Sequence, residues 1–265
     1  MTEPGARPRP APSRFITRIG GIAAVIAAVS YSSFLASPWT HSAGSASSGF
    51  VSELESPGQP YAWLYRSSDV LAGIGILLAA RAVSRLIAGR RWSAGATALL
   101  ALTGFSSVLD GATTMRCDPG TSTRCAHGEH TAVGLIGQLS ALHTDSGLLG
   151  FAASAAGAII LGAVLADRWP GWGRLQIAAG IGMAGCGVAD LFLLLASSSI
   201  GSTERARVLL ISGWFLIIGL FLLRQAAAAG ARAAPGQPRD SPPDQRPDVE
   251  RRRHAKRSAA RTRPV

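Results

Sequence analysis

The chain has 265 residues, 48% of them apolar and only 15% charged, where soluble domains carry about 25% charge. Mean hydropathy is +0.26, the formal net charge is +11, and there are three cysteines. These values exclude an ordinary cytosolic domain, a disulfide scaffold and a zinc ribbon, and they point to an all-α polytopic membrane protein.

A helix needs about 20 mostly apolar residues to cross a bilayer, and six runs approach that length. Residues 1–14 are rich in Pro and Arg, cannot bury a core and are expected to be disordered. The first span is expected at 19–37. A cleaved signal peptide competes with it, but Phe34 spoils the cleavage site ending at Ala36 and leaves only a cut after Ser30. The second span, 62–80, carries Arg66 and Asp69 three residues apart, on one helix face, where they can pair; Arg66 with Asp190 is the alternative. The third, 93–110, places Thr103, Ser107 and Asp110 on one polar stripe.

The segment from Gly111 to Leu142 is the longest connection. Cys117 and Cys125 lie eight positions apart in it, on what the charge pattern makes the oxidising side, so a disulfide is expected. His127 and His130 follow with HxxH spacing, and His143 and Asp145 open the fourth span, 146–165. With Asp110 these are the residue types of a zinc site, but the HExxH context is missing and no metal is expected. The fifth span, 175–196, carries Asp190 on one face with Met183 and Gly187, beside a packing cysteine, Cys186. The sixth covers 208–223, and the basic tail, 224–265, is expected to be disordered.

Orientation follows from the basic residues, which stay on the cytoplasmic side. Arg7, Arg9, Arg14 and Arg18 precede the first run, Arg81, Arg85, Arg90 and Arg91 follow the second, Arg168 and Arg174 follow the fourth, and eleven lie in the tail. Only Arg66, Arg116, Arg124, Arg205 and Arg207 fall on the other side. Both termini are therefore expected in the cytoplasm of a bacterial cell, with the chain in its plasma membrane. Trp39, Tyr61, Trp63 and Tyr65 are expected at the outer boundary and Trp92, Trp169 and Trp172 at the inner one. The tail is expected to meet anionic inner-leaflet lipids rather than nucleic acid.

Charged groups inside spans are expensive and mark candidate sites. Glu53, Arg66, Asp69, Asp110, His143, Asp145 and Asp190 all fall in the outer half, so an outward-facing polar pocket is expected there. No phosphate loop, dinucleotide fingerprint or nucleophile elbow is present, and no cofactor is expected. Three readings of the pocket follow. The first is non-enzymatic binding of a lipid or small solute. The second is a membrane-embedded hydrolase using His143 with Asp110, Asp69 or Asp190. The third is a small proton-coupled transporter acting as a homo-oligomer, because six short helices enclose little pathway.

The stretches FVSELESPGQPYAWLYRSSDVLAG, from Phe50 to Gly73, and LDGATTMRCDP, from Leu109 to Pro119, with Cys125 and His143 beyond them, resemble the bacterial membrane family catalogued as domain of unknown function 998. The resemblance covers residues 15–223 and implies about six spans and no assigned reaction. It directs attention to Ser52, Glu53, Arg66, Asp69, Asp110, Cys117, Cys125 and His143. A weaker likeness links the external loop to the Frag1/DRAM/Sfk1 membrane proteins.

Overall fold

The structure is a computed structural model that describes residues 13–40, 51–56, 58–113, 142–196 and 201–233. Among these the chain is all helical, with seven α-helices and no strand: α1 (Arg14–Tyr31), α2 (Ser37–Thr40), α3 (Ala62–Leu86), α4 (Ser93–Ala112), α5 (Leu142–Ala166), α6 (Pro170–Leu195) and α7 (Gly201–Ala233). Two short 3-10 turns, Ser33–Ala36 and Val51–Glu55, complete it. The chain divides into two compact units, Met1–Ala228 and Ala229–Val265; the helices up to Ala228 form the first.

Among the described residues five helices are long and apolar enough to cross a membrane: α1, α4, α5, α6 and α7. The sixth expected span, α3, is 25 residues long but carries Arg66, Asp69, Arg81 and Arg85, which lower its mean hydropathy. Several boundaries differ from expectation. The first helix ends at Tyr31 and gives way to the turn at Ser33–Ala36, rather than running on to Ser37. The last runs to Ala233, well past Leu223, because the stretch from Ala226 to Ala229 has the strongest intrinsic helix preference of any residue type.

The packing inverts that of a soluble bundle. In α1 the buried face is small, with Gly20, Gly21, Ala23, Ala24, Ala27 and Ala28, while Phe15, Ile19, Ile22, Ile26 and Val29 are exposed. Lipid is as apolar as leucine, so nothing drives the large side chains inward, and small ones let backbones approach. One close approach is reciprocal: a Cβ on Gly73 of α3 would lie 2.5 Å from the Gly104 carbonyl oxygen of α4, and one on Gly104 would lie 2.8 Å from that of Gly73. The large buried residues come chiefly from α7, where Trp214, Phe215, Ile218, Phe221 and Leu222 recur at helical spacing in the core. The Trp214 indole donates to the Gln176 side-chain oxygen of α6.

The arginine-rich end of the bundle, which carries the α3–α4 and α5–α6 connections, is held by cation and ring contacts. Arg90 donates to the Val164 carbonyl at 2.9 Å, and the Arg90 and Arg168 guanidinium groups lie 5.2 and 5.0 Å from the Trp169 ring. Trp169 and Trp172 pack against Phe221. At the opposite, distal end Trp39, Tyr61 and Trp63 are exposed. Tyr65 is a correction. It is buried, because α3 turns it toward Phe34, Leu54 and Val208, and its hydroxyl is hydrogen-bonded to Thr40.

Candidate functional site

The distal end collects the buried polar groups in two regions. In the first, α4 presents Thr103, Ser106, Ser107 and Asp110 at intervals of three and four residues, and α5 answers with Ser146, Gly147, Gly150 and Ser154. Together with Tyr31 of α1 these residues line a small pocket. It is a partly open cleft whose inner room, about 10 Å3, is close to the least that holds one water. Serine and glycine recur on one α5 face because large side chains there would close the gap. A Cβ on Gly150 would meet the Ser106 Cβ at 2.9 Å.

The hydroxyls have defined roles. Ser107 donates to the Thr103 carbonyl at 3.1 Å, Thr103 to the Leu99 carbonyl at 3.0 Å, and Ser154 to the Gly150 carbonyl at 2.7 Å, each four residues back on its own helix. Ser146 donates to Asp110 Oδ1 at 3.2 Å, tying α5 to α4. Ser154 also lies 3.3 Å from the Thr103 hydroxyl. Ser106 Oγ is buried and has no partner.

Beside the pocket stand two more carboxyl groups. The 3-10 turn Val51–Glu55 drops Glu55 into the bundle, where it hydrogen-bonds to Asp69 of α3 and feels the charge of Asp110. Burial pushes the Glu55 carboxyl well above its ordinary range, the charges of Asp69 and Asp110 push the same way, and Arg66 opposes them. Its Oε2 is buried without a partner. Arg66 does not turn to either expected acid. Its Nε and Nη2 donate to the Gly111 and Ala112 carbonyls at 3.1 and 3.3 Å, where the last turn of α4 leaves carbonyls unpaired and the helix dipole is negative.

The second region lies between α6 and α7. Asp190 is buried and its Oδ2 receives a hydrogen bond from Arg207 Nη1 at 2.6 Å. The same guanidinium sits 4.9 Å from the Phe151 ring. Glu204, one turn before Arg207, accepts the Val51 backbone N–H at 2.8 Å and so anchors the segment that delivers Glu55.

Several expected site residues therefore come together and others do not. Asp69 and Asp110 share the first region, and Asp190 belongs to the second. Glu53 is half-buried on the 3-10 turn, and Asp145 is exposed on α5. His143 lies in the first turn of α5, but its side chain is outside the described residues, as are Cys117, Cys125, His127 and His130. Among the described residues no three His, Cys, Asp or Glu side chains are arranged to hold a metal. Sequence reasoning missed Glu55, Glu204 and Arg207, all near helix ends where charge looks solvated. It also missed the α5 stripe, whose signal was Ser146, Gly150 and Ser154 at intervals of four.

The inverted packing and the buried polar groups at one end define a multi-pass α-helical membrane protein. A family model described as Protein of unknown function (DUF998) matches residues 22–221, most of the chain, and the protein belongs to that family. No curated protein and no solved structure matches significantly. The likeness to Frag1/DRAM/Sfk1 proteins finds no support in these comparisons.

Proposed function

We propose that the protein sits in the bacterial plasma membrane with six spans and both termini in the cytoplasm, and that its distal pocket binds a positively charged lipid headgroup or small solute from outside. The sixth span is α3. It is 25 residues long, about 37 Å at the helical rise. Leu71, Ile74 and Leu78 form an exposed apolar stripe on it, while Ala72, Ile76, Ala79 and Val83 face the core. Its charges lie toward its ends. The basic residues of the other end and of the tail support the orientation and a contact with anionic inner-leaflet lipids.

The observation that carries the binding reading is a hydroxyl-lined pocket to which Asp110 contributes a carboxylate, with Glu55 and Asp69 close enough to feel its charge. Such a site favours a positive ligand and needs no reaction. The test is ligand retention in nanodiscs, read by native mass spectrometry with phosphatidylethanolamine and by titration with ethanolamine and monovalent salts. Wild type is expected to bind at least one of these cations, and Asp110→Asn to lose it. Equal behaviour of the two proteins would reduce the cluster to structural polar packing.

One observation favours a second reading. Glu55 and Asp69 are hydrogen-bonded carboxyl groups, and such a pair must hold a proton between them. Proton-coupled movement of the same solute would use that proton. In reconstituted vesicles it would appear as solute-dependent acidification of the lumen that Asp69→Asn abolishes.

A further inference from the structure

The end of the bundle away from the acids carries the opposite charge. Two connections meet there, residues 87–92 between α3 and α4 and residues 167–169 between α5 and α6. The first bears Arg90 and Arg91 and the second Arg168. Each of the three guanidinium groups lies on an indole. Arg90 and Arg168 share Trp169, at 5.2 and 5.0 Å from its ring, and Arg91 lies 5.2 Å from the Trp92 ring. The shared ring is itself fixed, edge-on to Phe221 of α7. Arginines from two different connections are thereby held together in one place.

Little in the protein answers that charge. Among the described residues Asp167 is the one acid at this end, and it forms no ion pair with these arginines. Arg90 spends one N–H on the Val164 carbonyl. Arg91 and Arg168 make no hydrogen bond to a described residue. A guanidinium carries five donors in a flat fork that matches phosphate oxygens. The helices α4 and α6 both begin here, at Ser93 and Pro170, and add the positive ends of their dipoles. Trp92 is 62% exposed and holds a left-handed backbone, φ 65°. That conformation is costly for a bulky residue and is kept only where its surroundings impose it. It leaves an indole displayed beside the arginines, and indoles settle at the headgroup level of a bilayer.

We propose that Arg90, Arg91 and Arg168 clamp the phosphate of one anionic phospholipid, with Trp92 beside it in the headgroup layer. The inference rests on the orientation proposed above, which puts this end in the inner leaflet. A lipid fits better than a soluble phosphate, because the arginines are presented on indoles whose apolar surface suits a glycerol backbone and acyl chains. A zwitterionic lipid brings its own cation beside the phosphate, which three guanidinium groups repel; phosphatidylglycerol brings none. The bound lipid ties the α3–α4 connection to the α5–α6 connection. It has a fixed place on the helices, unlike the diffuse attraction of a basic tail to a charged leaflet.

The experiment is native mass spectrometry of the full-length protein in neutral detergent, titrated with phosphatidylglycerol, with phosphatidylcholine of the same acyl chains, or with glycerol phosphate. Wild type is expected to retain about one phosphatidylglycerol per chain, roughly tenfold more tightly than phosphatidylcholine. Arg168→Gln is expected to weaken it about tenfold. Its unfolding midpoint without lipid should not change, because Arg168 is exposed and makes no hydrogen bond to a described residue. Arg174→Gln is the control: Arg174 is exposed on α6 at the same end and lies on neither indole, so binding should change less than about twofold. Equal binding of the two lipids, or equal losses in the two variants, overturns the clamp and leaves a diffuse positive surface. Glycerol phosphate bound as tightly as the lipid overturns the lipid as occupant. Orientation is read separately with an impermeant maleimide on Gly171→Cys, where a side chain meets nothing within 4 Å. Labelling of intact cells above the wild-type level overturns the inner-leaflet placement. Protection of that cysteine with no phosphatidylglycerol retained overturns the clamp alone.

Discussion

At the distal end of α6 and α7 a buried acid meets a base: Asp190 and Arg207 are 2.6 Å apart, and the guanidinium is backed by Phe151. A few helices away, Glu55, Asp69 and Asp110 gather within reach of one another's charge, while Arg66 turns to the end of α4. Both regions bury charge at one end of one bundle. Removing ions from water is costly, and a close opposite charge is the usual remedy. The α6–α7 pair has adopted it through Asp190 Oδ2, while Asp190 Oδ1 is buried without a hydrogen-bond partner among the described residues. In the acid cluster Glu55 and Asp69 are hydrogen-bonded to each other, which requires a proton between them. The comparison separates an ion pair that locks two helices from carboxyl groups that burial drives to hold protons.

The sharpest way to break it is to remove one member of the locked pair. Arg207→Met leaves Asp190 buried without its base and is expected to cost about 3 kcal/mol or more, with the partial exposure of Arg207 keeping it near that lower value. Asp190→Leu combined with Arg207→Met removes both charges and is expected to recover most of the loss. Unfolding midpoints of the three proteins in detergent decide it. A double variant as unstable as the single one would mean that the pair is needed for something besides charge compensation.

Arg66 gives the intermediate case. It caps α4 through two carbonyls, so Arg66→Met is expected to cost about 1–2 kcal/mol, less than loss of Arg207. It also removes the positive charge that opposes the rise in the Glu55 carboxyl. The pH dependence then sharpens the contrast. Because the folded chain holds the Glu55 proton more tightly than the unfolded chain, its contribution is fully present below the ordinary value of 4.5. It is lost as pH rises through the higher folded value. The neighbours that set this are Asp69 and Asp110, which raise it, and Arg66, which lowers it. Wild-type stability is therefore expected to fall as pH rises above 4.5 toward the raised folded value, and Glu55→Gln to flatten that fall. A slope unchanged by Glu55→Gln would place the responsible proton elsewhere.

Much of this was legible along the chain. Helix periodicity and length marked the long helices, and a polar stripe marked Thr103, Ser107 and Asp110, because both depend on spacing within one segment. The partners of the charged residues were not legible, because pairing across helices depends on rotation and depth. Arg66 was expected beside an acid three residues away, yet backbone carbonyls of another helix satisfied it. Arg207 looked like a loop residue, but α7 begins at Gly201 and carries it inside. Glu53 drew attention where Glu55 is buried, since a 3-10 turn points residues two apart in different directions. Tyr65 read as a boundary aromatic and proved buried for the same reason of rotation.

The effect expected to be most confined to one part of the molecule lies in the segment that joins α4 to α5. Cys117 and Cys125 fall within it, outside the described residues, and eight residues of separation allow a bridge. If the distal end faces an oxidising compartment, the two form a disulfide, and Cys186 on α6 is left as the free thiol. Counting thiols in the denatured protein by mass shift with a maleimide separates the cases: one adduct before reduction and three after it. Closing so short a loop is worth at most about 3 kcal/mol to the unfolded-state entropy. Cys117→Ser with Cys125→Ser is therefore expected to leave the α6–α7 pair untouched. Any loss of stability should be confined to α4 and α5, where the acid pocket lies, and should appear as faster hydrogen exchange of those two helices. Exchange that quickened equally in α6 and α7 would mean that the two regions are one cooperative unit.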